Sequence, residues 1–154
     1  MKVIPNFFIV GAARSGTTSL HRYLYQHPEI FLTWRKEAHF FAAHHFPCTG
    51  PGDEALNRRI IYNEQEYAQL FAQAAGKKAI GEASAFYLGF PDAAERIAQD
   101  VPDARILISL REPVARTYSA YMFLRRDERE MLSFARGLSQ EAGRKQQGWE
   151  PMWW

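Results

Sequence analysis

A glycine loop close to the N-terminus constrains the fold of this chain more than any other feature. Residues 7–10 are mainly apolar β-formers, Gly11 and Gly16 bracket the loop, and apolar side chains recur at helical spacing after it. A buried strand that leads through a glycine turn into a helix is the local architecture of a phosphate-binding loop. Loop N–H groups and the helix dipole supply positive potential there, so the stretch predicts a bound anion.

The loop differs from the nucleoside triphosphate-binding motif at one position. Its glycines have the spacing of G-x-x-x-x-G-K-[ST], but Thr17 stands where that motif has the lysine that reaches the β- and γ-phosphates. Arg14, inside the loop, still offers a cation. We therefore predict that the loop holds one phosphate group rather than a triphosphate with magnesium. The alternative is a glycine turn that binds no ligand.

Strands and helices alternate along the rest of the chain. Strands are predicted at 30–32, 78–82 and 104–110, and helices at 17–26 (with Thr17 or Ser15 near its N-cap), from Asn63 to Gly76, at 91–100 and from Pro113 onward. The alternation implies βαβ units. We predict an α/β fold, a three-layer sandwich with a parallel sheet and a P-loop-type nucleotide-binding core, with its ligand beyond the carboxyl ends of the strands.

Composition excludes several classes of protein. The 154 residues suffice for one domain with a buried core, and a net charge of +2 is too small for a general nucleic-acid binder. No apolar run is long enough to span a bilayer, so no membrane span is expected. Cys48 is the single cysteine, which excludes an internal disulfide and suits a reducing compartment. The sequence thus predicts a cytoplasmic globular protein.

A second anion-binding position is predicted at the end of the last strand. Arg111 follows that strand directly, and Ser119 lies on the helix that Pro113 begins. Arginine makes charge-assisted, bidentate contacts with phosphate, and a serine hydroxyl can donate to the same group. Alone, this arginine fits a helix-capping or salt-bridge role equally well. Together with the glycine loop, it points to a nucleotide with phosphates at two separate positions.

Five segments resemble, in the same order, the sulfotransferases that use 3′-phosphoadenosine 5′-phosphosulfate (PAPS). They are residues 8–20, 27–30, 36–41, 81–88 and 111–121, and they cover most of residues 5–125. The likeness is greatest to bacterial members related to the heparan sulfate sulfotransferases. It implies transfer of the sulfuryl group of PAPS to a hydroxyl or amine of a small-molecule or carbohydrate acceptor, with adenosine 3′,5′-bisphosphate as the product.

The resemblance also implies roles for individual residues. Glu37 matches the catalytic base of the heparan-type enzymes, and Lys36 matches the lysine that precedes it. Arg14 and Lys36 are the cations that would offset charge on the departing phosphate. Arg111 and Ser119 would bind the 3′-phosphate. The 5′-phosphosulfate would lie against the loop residues Ala13, Arg14, Ser15, Gly16, Thr17 and Thr18. No metal ion is expected.

Two acid–base assignments have alternatives. The sequence position of Glu37 is consistent with a solvated ion-pair partner of Lys36 or Arg35 as well as with a catalytic base. His39 is a rival base because imidazole titrates near neutrality. We rank it second because its ring is expected to pack against Phe40 and Phe41.

Two further groups have simpler interpretations than a site. His44, His45 and Cys48 lack a partner pair at metal-ligand spacing, so surface or packing roles are expected. Residues 125–130 alternate in charge and predict a solvated helical face.

The chain departs from the family pattern in two ways. Ala83 stands where heparan-type enzymes often have lysine, and Ala85 where proline is common, which counts against a glycosaminoglycan acceptor. Family domains usually continue well beyond the Arg111 helix. Residues 1–154 are therefore expected to be the N-terminal part of a single sulfotransferase-like domain, completed by further chain or in a homo-oligomer. The apolar Trp153 and Trp154 favour such a contact.

Two other functions stay open at this point. One is a P-loop nucleotide kinase or phosphotransferase, which would require magnesium-dependent triphosphate binding. The other is a truncated, non-catalytic module that keeps the nucleotide cradle and lacks acceptor contacts.

Overall fold

Four parallel strands form the centre of the molecule. The computed structural model describes residues 4–150, so the predicted contact of Trp153 and Trp154 lies outside the described residues. The sheet has the order β2-β3-β1-β4, and all three pairings are parallel. The strands are β1 (Phe7–Gly11), β2 (Ile30–Leu32), β3 (Ala79–Ala83) and β4 (Arg105–Ile108). Every predicted strand is present, and the predicted α/β parallel-sheet fold is confirmed.

Seven α-helices connect and flank these strands within residues 4–150. They are α1 (Thr17–Tyr25), α2 (Glu54–Asn57), α3 (Glu64–Gln69), α4 (Pro91–Asp100), α5 (Pro113–Arg126), α6 (Phe134–Ser139) and α7 (Glu141–Gln146). Two 3₁₀ helices, Phe40–His45 and Tyr87–Gly89, follow β2 and β3. Pro113 and Pro91 each stand at a helix start, where a missing N–H costs no hydrogen bond.

Both faces of the sheet are covered, because β1 is buried along its whole length. Phe8 and Val10 point into the larger core, which the 3₁₀ helices, α3, α4 and α5 complete. Phe7 and Ile9 point into a smaller core, against which α1 packs Leu20 and Leu24. Side chains that alternate between two buried faces require a layer of structure on each, which is the three-layer arrangement.

The start of α1 differs from the prediction. Its N-cap is Gly16, with φ of 89°, and no side chain caps the helix. A serine or threonine N-cap adopts the β region, whereas this position is left-handed and suits glycine. Thr17 and Ser15 thus lie next to the N-cap, as predicted, but neither of them is the capping residue.

Two helix details differ as well. α3 ends at Gln69 rather than near Gly76, because i→i−3 hydrogen bonds at Leu70 and Phe71 replace the α-helical ladder. For α4 the apolar spacing predicts an inner face of Ala94, Ile97 and Ala98. The buried residues are instead Ala93 and Ile97, which lie one turn apart, and Ala94 and Ala98 are exposed.

No helix within residues 4–150 is both long and apolar enough to cross a membrane.

The N-cap of α3 gives a test of this fold. The Asn63 side chain accepts hydrogen bonds from the backbone N–H groups of Gln65 and Glu66, as the sequence predicts. We expect Asn63→Ala to lower the free energy of unfolding by about 1 kcal/mol. The matched control is Ser133→Ala, since Ser133 is an exposed N-cap whose side chain makes no cap hydrogen bond. Urea unfolding that shows equal losses for both variants would contradict the assignment.

Candidate active site

The carboxyl ends of all four strands contribute to one edge of the sheet. β1 runs into the glycine loop, and Lys36 and Glu37 follow β2. Ser84 follows β3 directly, and Arg111 follows β4. Parallel strands bring segments that are distant in sequence to the same edge, which is where ligands bind in such sheets.

The glycine loop is fixed to the end of β4. The N–H of Ala12 donates to the carbonyl of Ser109 at 2.8 Å, and the N–H of Ser109 donates to that of Gly11, also at 2.8 Å. The Ser109 hydroxyl donates to the carbonyl of Ser15 at 2.5 Å. A Cβ at Gly11 would lie 2.8 Å from the carbonyl oxygen of Ala85, so only glycine fits this close approach. The loop is therefore hydrogen-bonded to the end of β4 and packs closely against the segment that follows β3.

The loop residues lie in different environments. Ala13 packs against the larger core, and Thr17 is buried at the start of α1. The Thr18 hydroxyl accepts a hydrogen bond from Lys36. The Ser15 hydroxyl is buried and has no hydrogen-bond partner among the described residues. A buried hydroxyl without a partner in a glycine loop is consistent with a binding site for a polar ligand.

Arg14 and Ser119 are in contact, although 105 residues separate them. Nε and Nη2 of Arg14 each lie 3.3 Å from the Ser119 hydroxyl oxygen. The Arg14 guanidinium lies 4.7 Å from the centre of the Phe123 ring, a cation–π distance. The structure thus brings a residue predicted for the 5′ position into contact with one predicted for the 3′ position.

Three arginines form a cluster of positive charge at this point. Burial lowers the pKa of Arg14, and the charges of Arg126 and Arg111 lower it further. Arg126 also contacts the Phe123 ring, at 4.7 Å. Asp127, which pairs with Arg126 at 2.8 Å, compensates part of this charge, and the uncompensated remainder favours a bound anion.

Arg126 and Phe123 were not predicted as site residues. They lie seven and four positions after Ser119, so helical spacing puts all three on one face of α5. That spacing is the signal that could have identified them.

The prediction for residues 125–130 is also wrong in part. The helix ends at Arg126, and Glu130 is 2% exposed, with its Oε2 2.5 Å from Nη1 of Arg144.

Lys36 connects the glycine loop to the candidate base. Its Nζ donates to the Thr18 hydroxyl at 2.9 Å and lies 3.4 Å from Oε1 of Glu37. Arg35 pairs instead with Glu66 at 3.0 Å. Of the two ion-pair partners considered for Glu37, Lys36 and Arg35, the structure therefore supports Lys36.

Glu37 is held by backbone and side-chain donors. Its Oε2 accepts the N–H of Ala85 at 2.8 Å and lies 3.2 Å from Nε2 of His39. Burial by itself raises the pKa of Glu37, but His39, Lys36 and the Ala85 N–H outweigh that effect and bring the pKa to about 2. Glu37 is consequently ionised at neutral pH.

His39 is fully buried beside Glu37. Its ring stacks on Phe86 and Phe46, with centroids 5.0 and 5.4 Å apart, rather than on the predicted Phe40 and Phe41. A ring enclosed by aromatic groups has no access to an acceptor molecule. The geometry therefore supports Glu37 over His39 as the base.

A buried carboxyl group lies behind this site and was not predicted to contribute. Glu82, in β3, is 0% exposed, and its Oε1 accepts a hydrogen bond from the Ser84 hydroxyl. Burial raises the pKa of Glu82 to about 7, and the charge of Glu37 adds to the rise. The signal in the sequence is an acidic residue inside an otherwise apolar strand.

The histidine pair has a partner that its spacing did not reveal. His44 Nε2 and His45 Nε2 lie 2.5 and 2.8 Å from the two carboxylate oxygens of Asp92, at the start of α4. These three side chains have the donor atoms for a metal ion, although Asp92 contacts both rings directly. Cys48 does not belong to the group: it is buried elsewhere, and burial raises the pKa of its thiol to about 12.

The ion pairs of Glu37 make stability depend on pH. A carboxyl group whose pKa falls from about 4.5 unfolded to about 2 folded stabilises the protein above pH 4.5, and this contribution is lost as the pH falls through 2. We expect Glu37→Gln to lower the free energy of unfolding by on the order of 2 kcal/mol at pH 7, and by less as the pH is lowered.

Urea unfolding at a series of pH values from 7 to 3 measures this dependence. The control is Glu29→Gln, since Glu29 forms an exposed pair with Lys78 and should contribute little at any pH. A loss for Glu37→Gln that is the same at every pH would contradict the pairing.

Comparisons with known proteins agree on one family. The model of the sulfotransferase family matches residues 5–153. A crystal structure of a sulfotransferase from Alicyclobacillus acidocaldarius superposes with a TM-score of 0.95 at 54% identity, covering 98% of this chain and 62% of the other.

Two curated relatives are more distant. The membrane-associated sulfotransferase kil1 of Dictyostelium discoideum is 34% identical over 78% of this chain, and human carbohydrate sulfotransferase 15 is 30% identical over 80%. The chain spans only 23% and 28% of their lengths. The match to the family model extends over almost the whole chain and agrees with the fold and the glycine loop, and the chain belongs to the sulfotransferase family.

Proposed function

We propose that this chain binds PAPS and transfers its sulfuryl group to a hydroxyl or amine. The observation that carries the proposal is the arginine cluster: Arg14 of the glycine loop lies 3.3 Å from the Ser119 hydroxyl, and the guanidinium groups of Arg14 and Arg126 each lie 4.7 Å from the centre of the Phe123 ring. The cluster adjoins a phosphate-type loop and a candidate base at the same sheet edge. An anion with two separated phosphates would relieve the repulsion and occupy both parts of the site.

The residues present fit the donor. The loop from Ala13 to Thr18 would hold the 5′-phosphosulfate, with the orphaned Ser15 hydroxyl available to donate to it. Arg111 and Ser119 would hold the 3′-phosphate, with Arg126 beside them. The Arg14 contact with Ser119 joins the two parts of the site.

Glu37 would act as the base in the transfer. The acceptor oxygen or nitrogen forms a bond to sulfur, and its proton passes to a carboxylate oxygen of Glu37. The bond between sulfur and the 5′-phosphate oxygen breaks, and its electron pair stays on that oxygen. Adenosine 3′,5′-bisphosphate is released.

Lys36 would serve both reactants in this step. It contacts Thr18 of the loop and Glu37, so a small movement would take its charge from the carboxylate toward the oxygen that bridges sulfur and the 5′-phosphate. That movement stabilises the departing phosphate, together with Arg14, and raises the basicity of Glu37. Positioning and charge do most of the work, as in phosphoryl transfer.

The acceptor is proposed at the level of chemical class. A carbohydrate hydroxyl or amine is favoured because one relative is named a carbohydrate sulfotransferase. Ala83 and Ala85 depart from the heparan-type pattern and count against a glycosaminoglycan. The cytoplasmic location, the homo-oligomer and the assignment of these residues to the N-terminal part of one domain stay predictions.

Turnover of PAPS with a panel of sugar and small-molecule acceptors tests the proposal. We expect sulfated product without added metal, and a loss of about 10²–10⁴-fold in kcat for Glu37→Gln. Arg111→Ala should raise the KM for PAPS, while the surface control Glu29→Gln should leave both constants unchanged. Bound PAPS with no product for any acceptor would favour the non-catalytic module. A requirement for magnesium-ATP would favour the kinase.

A further inference from the structure

The segment that carries Glu37 is backbone-strained. Glu37 and His39 have φ of 61° and 48°, in the left-handed region. Residues other than glycine pay a conformational cost there and keep such angles only where surrounding contacts fix them. The segment therefore depends on whatever holds it.

Two contacts with the chain after β3 hold Glu37 itself. Its backbone N–H donates to the carbonyl of Ala83 at 2.8 Å, and its carboxylate accepts the N–H of Ala85 at 2.8 Å. Glu37 is thus fixed at both its backbone and its side chain by residues next to Glu82.

Two hydroxyl groups hold the residues that follow. The N–H of His39 donates to the Ser84 hydroxyl oxygen at 3.0 Å, and the N–H of Phe41 donates to the Tyr87 hydroxyl oxygen at 3.3 Å. The Ser84 hydroxyl donates in turn to Oε1 of Glu82, and Tyr87 is near enough to that carboxyl group that burial and the charge of Glu82 together raise the pKa of the Tyr87 hydroxyl. One buried carboxyl group therefore lies behind both backbone anchors.

We propose that Glu82 is a positioning residue for Glu37, acting through the hydroxyls of Ser84 and Tyr87 on the backbone of residues 39–41. The inference rests on the proposed function of Glu37 as the base. Glu82 is fully buried, so it touches neither the donor nor the acceptor directly. Its second oxygen, Oε2, is buried without a hydrogen-bond partner in the described residues. This arrangement lowers the stability of the fold, so its presence calls for a role of the carboxyl group.

The charge of Glu82 sets the strength of this anchor. An ionised carboxylate accepts hydroxyl hydrogen bonds more strongly than a neutral one. The groups that act on it are Ser84 and Tyr87 after β3, Glu37 and Lys36 after β2, and Tyr67 on α3. Because burial raises the pKa of Glu82 to about 7, the anchor strengthens as the pH rises through neutrality.

Steady-state kinetics of sulfuryl transfer between pH 5.5 and 8.5 test the proposal, with Glu82→Gln as the variant. Glutamine has nearly the same shape and imitates the neutral acid. The ratio of wild-type to variant kcat should be close to one below about pH 6 and rise to about fivefold at pH 8.5, with the KM for PAPS unchanged. Glu95→Gln, an exposed substitution on α4, should give a ratio of one throughout.

Amide hydrogen exchange supplies a readout that does not depend on turnover. Glu82→Gln should speed exchange at the amides of both His39 and Phe41. Ser84→Ala should speed exchange at His39 alone, because Tyr87 still holds Phe41. A folded Ser84→Ala protein keeps the test valid if Glu82→Gln fails to fold.

The outcomes separate the two claims. A wild-type protein without turnover overturns the proposed function, and the amide exchange then decides on Glu82 alone. A kcat ratio that stays at one, a ratio that does not vary with pH, or a parallel rise in the KM for PAPS overturns the positioning role. Unchanged exchange at both amides overturns it as well.

Discussion

The parallel direction of all four strands is the constraint on which the site depends. Each strand delivers its following segment to the same edge, so four segments meet there that are far apart in the sequence. β1 and β4 deliver the loop and Arg111, and hydrogen bonds between the backbones of residues 11–12 and Ser109 lock these two together. β2 and β3 deliver Glu37 and its supports. An antiparallel strand in any of these places would carry its contribution to the opposite edge.

Charge is divided across this edge. The side next to β4 carries the arginine cluster, where burial and the charges of Arg126 and Arg111 lower the pKa of Arg14. The side formed by β2 and β3 carries the carboxyl groups of Glu37 and Glu82. Those two carboxyl groups have opposite shifts: the pKa of Glu37 is about 2 and that of Glu82 about 7. The environments differ because Glu37 has cationic and N–H partners, whereas Glu82 is buried against hydroxyls. Lys36 lies where the two sides meet, in contact with Thr18 and Glu37.

Local signals in the sequence predict part of the fold and part of the site. The glycine spacing, the run of β-formers in β1 and the cap at Asn63 are each contained within a few residues, and each was found. The strand-end position of Arg111 follows from the same kind of pattern. The exact helix ends were less predictable, because the α-ladder and the 3₁₀ turn at Leu70 accept the same apolar spacing.

The rest depends on contacts between distant residues. Arg14 meets Ser119 only after β1 and β4 have paired, and no local pattern contains that pairing. Asp92 meets His44 and His45 only when α4 packs on the 3₁₀ helix. Glu82 is visible in the sequence as an acidic residue in an apolar strand, but its complete burial is a property of the assembled sheet. Arg126 is an exception among these contacts, because its helical spacing of seven positions from Ser119 is contained in the sequence.

Calorimetric titration with nucleotides tests the central claim, that the sheet edge binds a nucleotide with two separate phosphate groups. The ligands are adenosine 3′,5′-bisphosphate, adenosine 5′-monophosphate and magnesium-ATP, each with the wild-type chain and with Arg111→Ala. We predict tightest binding of the bisphosphate, and loss of that preference over the monophosphate in Arg111→Ala. Equal affinity for bisphosphate and monophosphate in the wild type, or a preference for magnesium-ATP, would contradict the account.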